Sequence, residues 1–580
     1  MNANRLVRVL LLFVILTFGV WLLGRSGGLQ PEGLSRLQAL SNLSSAVSSP
    51  AAQDDVEVGK SVVHEPVSPA VVDFSDVVID TDSADSMYER WLRGEIDLDE
   101  KDSIVSEAEM ALMIEKALAQ EPDDGVQIAS SSPQMRAPGP GTSFDAIDYT
   151  ESGGSVPPDP ELAVGPNHMV AVVNVSVAIY NKSGTVLFGP TSAESLFSQP
   201  DCQDGLYDPN VLYDEEANRW IIAYDQGAFE ADGGYCLLAS QSGNPAGGYY
   251  EYFFNFNDGS VWLDFPHAGA GDSHIYMGGN MFTYGGVYSE GRVFAFDKAD
   301  LYSGAPLAAV ERGLDPEGST PQPINLHGQS SGTWPSHGNT HYILTDPYNG
   351  TTFALRQWNP VTDNLALVGN ANLGGANQPI SVVQDGAGLI QANDWRPLDF
   401  EYSNGFGWTT MTVSCNPGGG AVNCIRWAQI DLNTANLGPA GAGTYGSDGV
   451  HRFFPDLAVN RCNDMVVGYT RSSSSTFPSI WVTGRQVTDP NGTLQAEAQL
   501  KAGEIAYTAF DGSPRRWGDY TGMTIDPDGE TFWYLGQYSK DTGTTNGRWG
   551  TYVGSFSFSD CGTPLPPLDN FNYLPAITNP

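Results

Sequence analysis

Short apolar stretches, each bounded by Asp, Asn, Gly or Pro, recur from Phe144 to Cys561. The clearest are "DPELAVGPNHMVAVVN" (159–174), "DPNVLYDEEANRWIIAYD" (208–225) and "DFPHAGAGDSHIYMGGN" (264–280). Three more follow: "LDFEYSNGFGWTTMTV" (398–413), "PDLAVNRCNDMVVGYT" (455–470) and "DYTGMTIDPDGETFWYLGQY" (519–538). Each places Asp, often with Pro, ahead of a short apolar strand, then a tight turn and a second apolar strand. A further unit, "THYILTDPYNGTTFALRQWN" (340–359), opens irregularly but carries its own turn signal. Hairpins spaced about 50–65 residues apart leave room for a four-stranded sheet each, and radial repetition of such sheets is a β-propeller. The pattern therefore predicts an all-β, seven-bladed propeller over residues 142–563, with its apolar core distributed between sheets.

The flanks read differently. Arg5 and Arg8 precede an apolar run from Val9 to Leu23, which predicts an N-terminal hydrophobic helix. Residues 1–29 fit either an uncleaved signal anchor or a cleaved signal peptide, with the bulk of the chain across the membrane. Residues 30–141 read as an acidic, mostly disordered linker, since 51–140 hold 21 acidic and six basic residues. Within it, 103–120 has helical spacing, and Ser106 with Glu109 has the spacing of a capping box. Residues 564–580 form a Pro-rich tail.

Composition agrees with many short strands: 66 Gly, 63 aromatic residues and 16% charged residues in 580. The net charge of −41, with seven Lys against 20 Arg, excludes non-specific nucleic-acid binding. The expected setting is the cell envelope or the medium, with membrane contact only through the N-terminal segment and the chain a monomer. Six cysteines without a CxxC spacing fit disulfides in an exported chain better than a zinc ribbon. Cys415 and Cys424 flank a flexible loop, which leaves Cys202 with Cys236 and Cys462 with Cys561 as natural pairs among fifteen connectivities.

Four stretches carry a resemblance: "PPDPELAVGPNHMVAVVNVSVAIYNKSG" (157–184), "YDPNVLYDEEANRW" (207–220), "PSIWVTGR" (478–485) and "RWGDYTGMTIDPDGETFW" (516–533). Over about 144–561 the chain resembles a family of exported, largely uncharacterised bacterial proteins expected to be β-propellers. That resemblance implies fold and export, and brings no catalytic residues. More remotely the chain is similar to sialidase-type propellers, whose S-x-D-x-G-x-T-W box is loosely echoed by "TIDPDGETFW". Here Gly529 follows Asp528 directly, which breaks the spacing.

If the recurrent Asp opens each innermost strand, Asp159, Asp208, Asp264, Asp456 and Asp519 ring one mouth of the channel, with Asp399 near the same register. Such carboxylates suit Ca²⁺, the one cofactor the sequence suggests, and Asp159, Asp208, Asp264 and Asp456 are its expected ligands. Alternatively, each Asp caps its own turn by accepting backbone N–H groups. Arg396, Arg452 and Arg516 precede the Asp of three successive units and, with Trp517, could bind a carboxylate or sulfate of an acidic sugar. They could equally pair with neighbouring Asp residues and hold blades together. His327, His337 and His341 cluster in "INLHGQSSGTWPSHGNTHY" (324–342). His267, His337, Asp519 and Tyr520 are the candidates for moving protons. Two functions follow: a propeller that binds or processes extracellular polysaccharide, as a hydrolase or lyase, or a non-catalytic scaffold for adhesion or for a surface protein.

Overall fold

The computed structural model describes residues 60–80, 103–129 and 137–558, apart from 229, 258, 315–317, 330–333, 387, 510–511 and 544–545. The signal segment (1–29), much of the acidic linker, the Pro-rich tail and Cys561 lie outside the described residues. Among the described residues no helix is long and apolar enough to cross a membrane.

Alternating short strands and Gly- or Asn-rich turns build seven antiparallel sheets, the blades of a propeller. Their innermost strands are Glu161–Val164, Leu206–Asp214, Val261–Ala270, Ser319–Pro323, Asp399–Ser403, Val450–Val459 and Gly522–Ile525, for blades 1 to 7 in order. In blade 4 the innermost strand lies upstream of the predicted unit. "THYILTDPYNGTTFALRQWN" supplies its second and third strands, His341–Asp346 and Thr352–Asn359.

Blade 7 is completed from far away in sequence. Its outer strand is Ser143–Asp148, antiparallel to Arg548–Phe556, so the ring is closed by hydrogen bonds between distant parts of the chain. Parts of the acidic stretch also dock: Val62–Val63 extends blade 3, Ala70–Asp73 extends blade 2, and Val126–Ile128 runs parallel along blade 5. The helix Glu107–Leu118 starts at Ser106, which forms a capping box with Glu109. Its Met110 and Met113 pack against the apolar seam between blades 4 and 5.

Each seam between neighbouring blades buries its own cluster. Val172, Trp220 and Tyr224 lie between blades 1 and 2, and Trp408, Trp427 and Tyr469 between blades 5 and 6. Burying a large apolar side chain contributes about 1.5–3 kcal/mol, so cohesion comes from the seams and leaves the axis free for polar groups. Cys202–Cys236 and Cys415–Cys424 are disulfides, and Cys462 is disulfide-bonded as well.

The innermost strands share a backbone device. Asp159, Asp208, Phe265, Thr320 and Phe454 have φ between 41° and 56°, and each precedes a proline. Few non-glycine residues adopt this left-handed conformation, so neighbouring groups must hold it in place. A polar side chain from the preceding blade does so. Asn174 Oδ1 accepts the Asp208 N–H at 2.7 Å, Asn280 Oδ1 the Thr320 N–H at 2.7 Å, and Thr412 Oγ1 the Phe454 N–H at 3.0 Å. Proline, rather than aspartate, therefore marks the register. Asp264 falls one residue before this point and Asp456 two residues after it, so the recurrent aspartates do not form one equivalent ring.

Candidate cation site in the propeller channel

Carboxylates line the channel in two layers. In the upper layer, oxygens of Asp159, Asp208 and Asp519 lie within 4.8 Å of one another, all three residues buried. Asp159 accepts the Asp519 N–H at 2.7 Å and the Asn174 amide at 2.6 Å. Asp519 takes both guanidinium nitrogens of Arg516, at 2.9 and 2.7 Å, and the Asn393 amide at 2.6 Å. Asp208 accepts the Phe265 N–H at 3.2 Å. Burial, and then the charge of Asp519, raises the Asp159 carboxyl well above its usual range. This trio is largely satisfied by donors, but they come from other blades and from side chains rather than from the backbone of each residue's own turn.

The middle layer comprises Glu161 of blade 1, Asp399 and Glu401 of blade 5 and Asp456 of blade 6. Asp399 and Glu401 stand two apart on one strand and so share its channel face. The Asp399 carboxyl is in hydrogen-bond contact with that of Asp456, an arrangement that requires a proton or a cation between them. Burial raises Glu161, Asp399 and Asp456, and for Glu161 and Asp399 neighbouring carboxylates add to the effect. Below, His327 Nε2 meets Glu401 at 2.5 Å and Nδ1 meets Glu215 at 3.5 Å. Burial disfavours the imidazolium, yet Glu401 and Glu215 outweigh it and raise His327 to about 10. The cavity among these groups measures about 50 Å³. That admits an ion with a water or two, far below the ~300–1,000 Å³ of small-molecule pockets.

The other candidates mostly face inward. Arg452 is fully buried, held by Glu497 through two 3.0 Å bonds and stacked on Tyr445. Arg396 is buried, bonded to Asp394 at 2.9 Å and lying over the Phe265 ring. Neither guanidinium is open to an anion, so the clamp of three arginines does not form; only Arg516, with 30% of its side chain exposed, reaches solvent appreciably. Trp517 is fully buried, its indole N–H on Thr470, and Tyr520 is buried with its hydroxyl towards Pro209 O at 3.4 Å. His267 lines the cavity between the edges of Phe265 and Tyr520, and burial followed by Arg396 lowers it to about 3, so it is neutral at pH 7. His337 packs instead against Tyr342 and Tyr402.

The expected metal set is divided: Asp159 and Asp208 belong to the upper layer and Asp456 to the middle one. Sequence reasoning missed Glu161, Glu215, Glu401 and Asp225. The alternation "DFE" at 399–401 and "DPE" at 159–161 is the signal that could have found two of them. Val382 and Ile390 of a short hairpin join Phe265, Phe454, Trp517 and Tyr520, from blades 3, 6 and 7, in one cluster.

No protein-family profile matches the chain, and no curated protein matches it in sequence. Among solved structures it is similar to a thermostable family-43 glycoside hydrolase at 12% identity, covering 62% of this chain and 95% of that one, with a TM-score of 0.27. It is also similar to TolB from Acinetobacter baumannii (11%, 69% and 79%, 0.29). A third is 1,3Gal43A, an exo-β-1,3-galactanase from Clostridium thermocellum (9%, 73% and 98%, 0.26). At such scores these likenesses carry no argument about chemistry.

Proposed function

We propose that this chain is an exported propeller that works by binding, contacting glycan or a surface protein through its outer faces, with no turnover in its channel. The observation that carries this is the scant free space of the channel, about 50 Å³, with Arg396, Arg452 and His267 each buried. The disulfides support an oxidising, extracytoplasmic setting, and the Arg-flanked apolar run at the N-terminus supports tethering or secretion. A net charge of −41 works against an acidic polysaccharide, so a neutral glycan or a basic protein surface is the better partner.

A second reading, an acidic-polysaccharide hydrolase or lyase, rests on Arg516, which keeps partial exposure beside Asp519. The purified full-length chain, screened against neutral and acidic polysaccharides for binding, reducing ends and unsaturated products, separates the two. Binding without product is expected. Product formation abolished by Arg516→Ala would overturn the binding reading in favour of the second.

A further inference from the structure

The upper acid layer draws on three blades. Asp159 precedes the innermost strand of blade 1, Asp208 lies on that of blade 2, and Asp519 precedes that of blade 7. One oxygen from each lies within 4.8 Å of the other two, and the residues are 0%, 6% and 5% exposed. Oxygens bound to Ca²⁺ at about 2.3–2.6 Å stand at most about 5 Å apart, so the trio falls within the reach of one ion. A second observation is independent of these acids. Gln537 is 1% exposed, and its amide nitrogen donates to Trp517 O at 2.7 Å, which fixes the orientation of the side chain. Its Oε1 nevertheless has no hydrogen-bond partner. Gly518 shows where that oxygen points: a Cβ added there would stand 3.1 Å from Gln537 Oε1 and 3.2 Å from Asp159 Oδ1. A buried acceptor that no donor meets thus faces the same space as Asp159, and such groups call for a partner. Charge leads to the same place. Arg516 brings one positive charge to the three carboxylates, and the guanidinium of Arg396 is bonded to Asp394. Asp225, fully buried and without a donor on the adjoining strand, adds negative charge beside Asp208. Buried charge of this kind must be offset by protons or by a cation.

We propose that Asp159, Asp208 and Asp519, with Gln537 Oε1 as fourth donor, hold a Ca²⁺ ion where blades 7, 1 and 2 meet. All four donors are oxygens, the ligand type of a hard cation, and Ca²⁺ tolerates irregular geometry better than Mg²⁺. The hydrogen bonds already made to the trio leave room for the ion, because each carboxylate oxygen offers a second lone pair. The ion balances the charge that Arg516 leaves and joins the first blade to the last from the inside. It complements the closure that Ser143–Asp148 makes at the outer edge. This site is independent of the partner proposed above.

The test uses full-length protein stripped with EGTA, titrated calorimetrically with Ca²⁺ and separately with Mg²⁺, alongside thermal unfolding and elemental analysis before stripping. A single Ca²⁺ per chain is expected, preferred over Mg²⁺, with Tm rising on addition and falling with EGTA. Asp208→Asn should weaken Ca²⁺ at least about tenfold and flatten the Tm response; Asp159→Asn gives the same readout should Asp208→Asn fail to fold. Wild-type protein that neither binds Ca²⁺ nor shifts its Tm would overturn the proposal and leave protons to balance the trio. So would full Ca²⁺ affinity in Asp208→Asn, or loss only in Asp456→Asn, which would move the ion to the middle layer.

Discussion

Asp159 Oδ1 accepts the backbone N–H of Asp519 at 2.7 Å across 360 positions of sequence, so a residue opening blade 1 holds the start of blade 7. Its other oxygen takes the Asn174 amide, which in turn holds Asp208 of blade 2. Asp159→Ala would strand two buried donors, each costing about 1–3 kcal/mol. Asp159→Asn retains an acceptor and removes a charge beside Asp519. Chemical denaturation should therefore rank the alanine variant well below the asparagine variant, and equal losses would show that the link carries little.

His327 makes stability depend on pH. Its folded pKa is raised to about 10 against an ordinary 6.5, so the folded chain binds this proton more tightly than the unfolded chain. The resulting stabilisation is complete below about pH 6.5 and is lost as pH rises towards 10. The Tm difference between wild type and His327→Gln should accordingly be largest near pH 6 and shrink by pH 10. A difference that grows with pH would contradict the pairing with Glu401 and Glu215.

Arg452 and Arg516 should differ in how much their loss costs the fold. Arg452→Ala leaves Glu497 largely buried with one guanidinium fewer, a change worth about 3–5 kcal/mol in such settings. Arg516→Ala removes a partly exposed pair and should cost about 1 kcal/mol. Urea titration of both variants checks the order. A near-neutral Arg452→Ala would return that residue to the list of binding candidates.

How much of this was legible beforehand depends on the range of the interaction. The hairpin units and the capping box at Ser106 are local, and their residues announce them. Ser319–Pro323 lies outside every hairpin unit, since proline removes ladder donors and blunts the strand signal; the strand is bulged and its Pro321 follows a left-handed residue. The closing strand Ser143–Asp148 was placed in the propeller without its partner, because nothing near it encodes pairing some 400 residues away. Arg452 looked like an anion clamp because its partner, Glu497, lies 45 residues downstream in an unremarkable stretch. The acidic layers were half seen: Asp repeats drew the eye, while the proline that sets register and the glutamates one pleat further on did not.

The two disulfides with both partners among the described residues close loops of different length, which predicts different costs on removal. Cys202–Cys236 spans 34 residues and Cys415–Cys424 spans nine. Loop-closure entropy puts the first at about 3–4 kcal/mol and the second lower, though strain and residual structure modulate both. Replacing each pair with serines and comparing denaturation midpoints checks the order. A larger loss from Cys415–Cys424 would point to a role for its hairpin beyond chain entropy.

Ring closure by Ser143–Asp148 also governs the order in which the molecule can be made. A ribosome finishes this strand before any blade exists, and must synthesise six blades before Arg548–Phe556 emerges to receive it. Until then the nascent disc has a gap flanked by the apolar faces that blade 7 would cover, surfaces through which chains stick to one another. A chain released one blade early cannot complete the circle, so premature termination should yield aggregates rather than a smaller propeller. A strand translated ahead of every blade is the last to be paired.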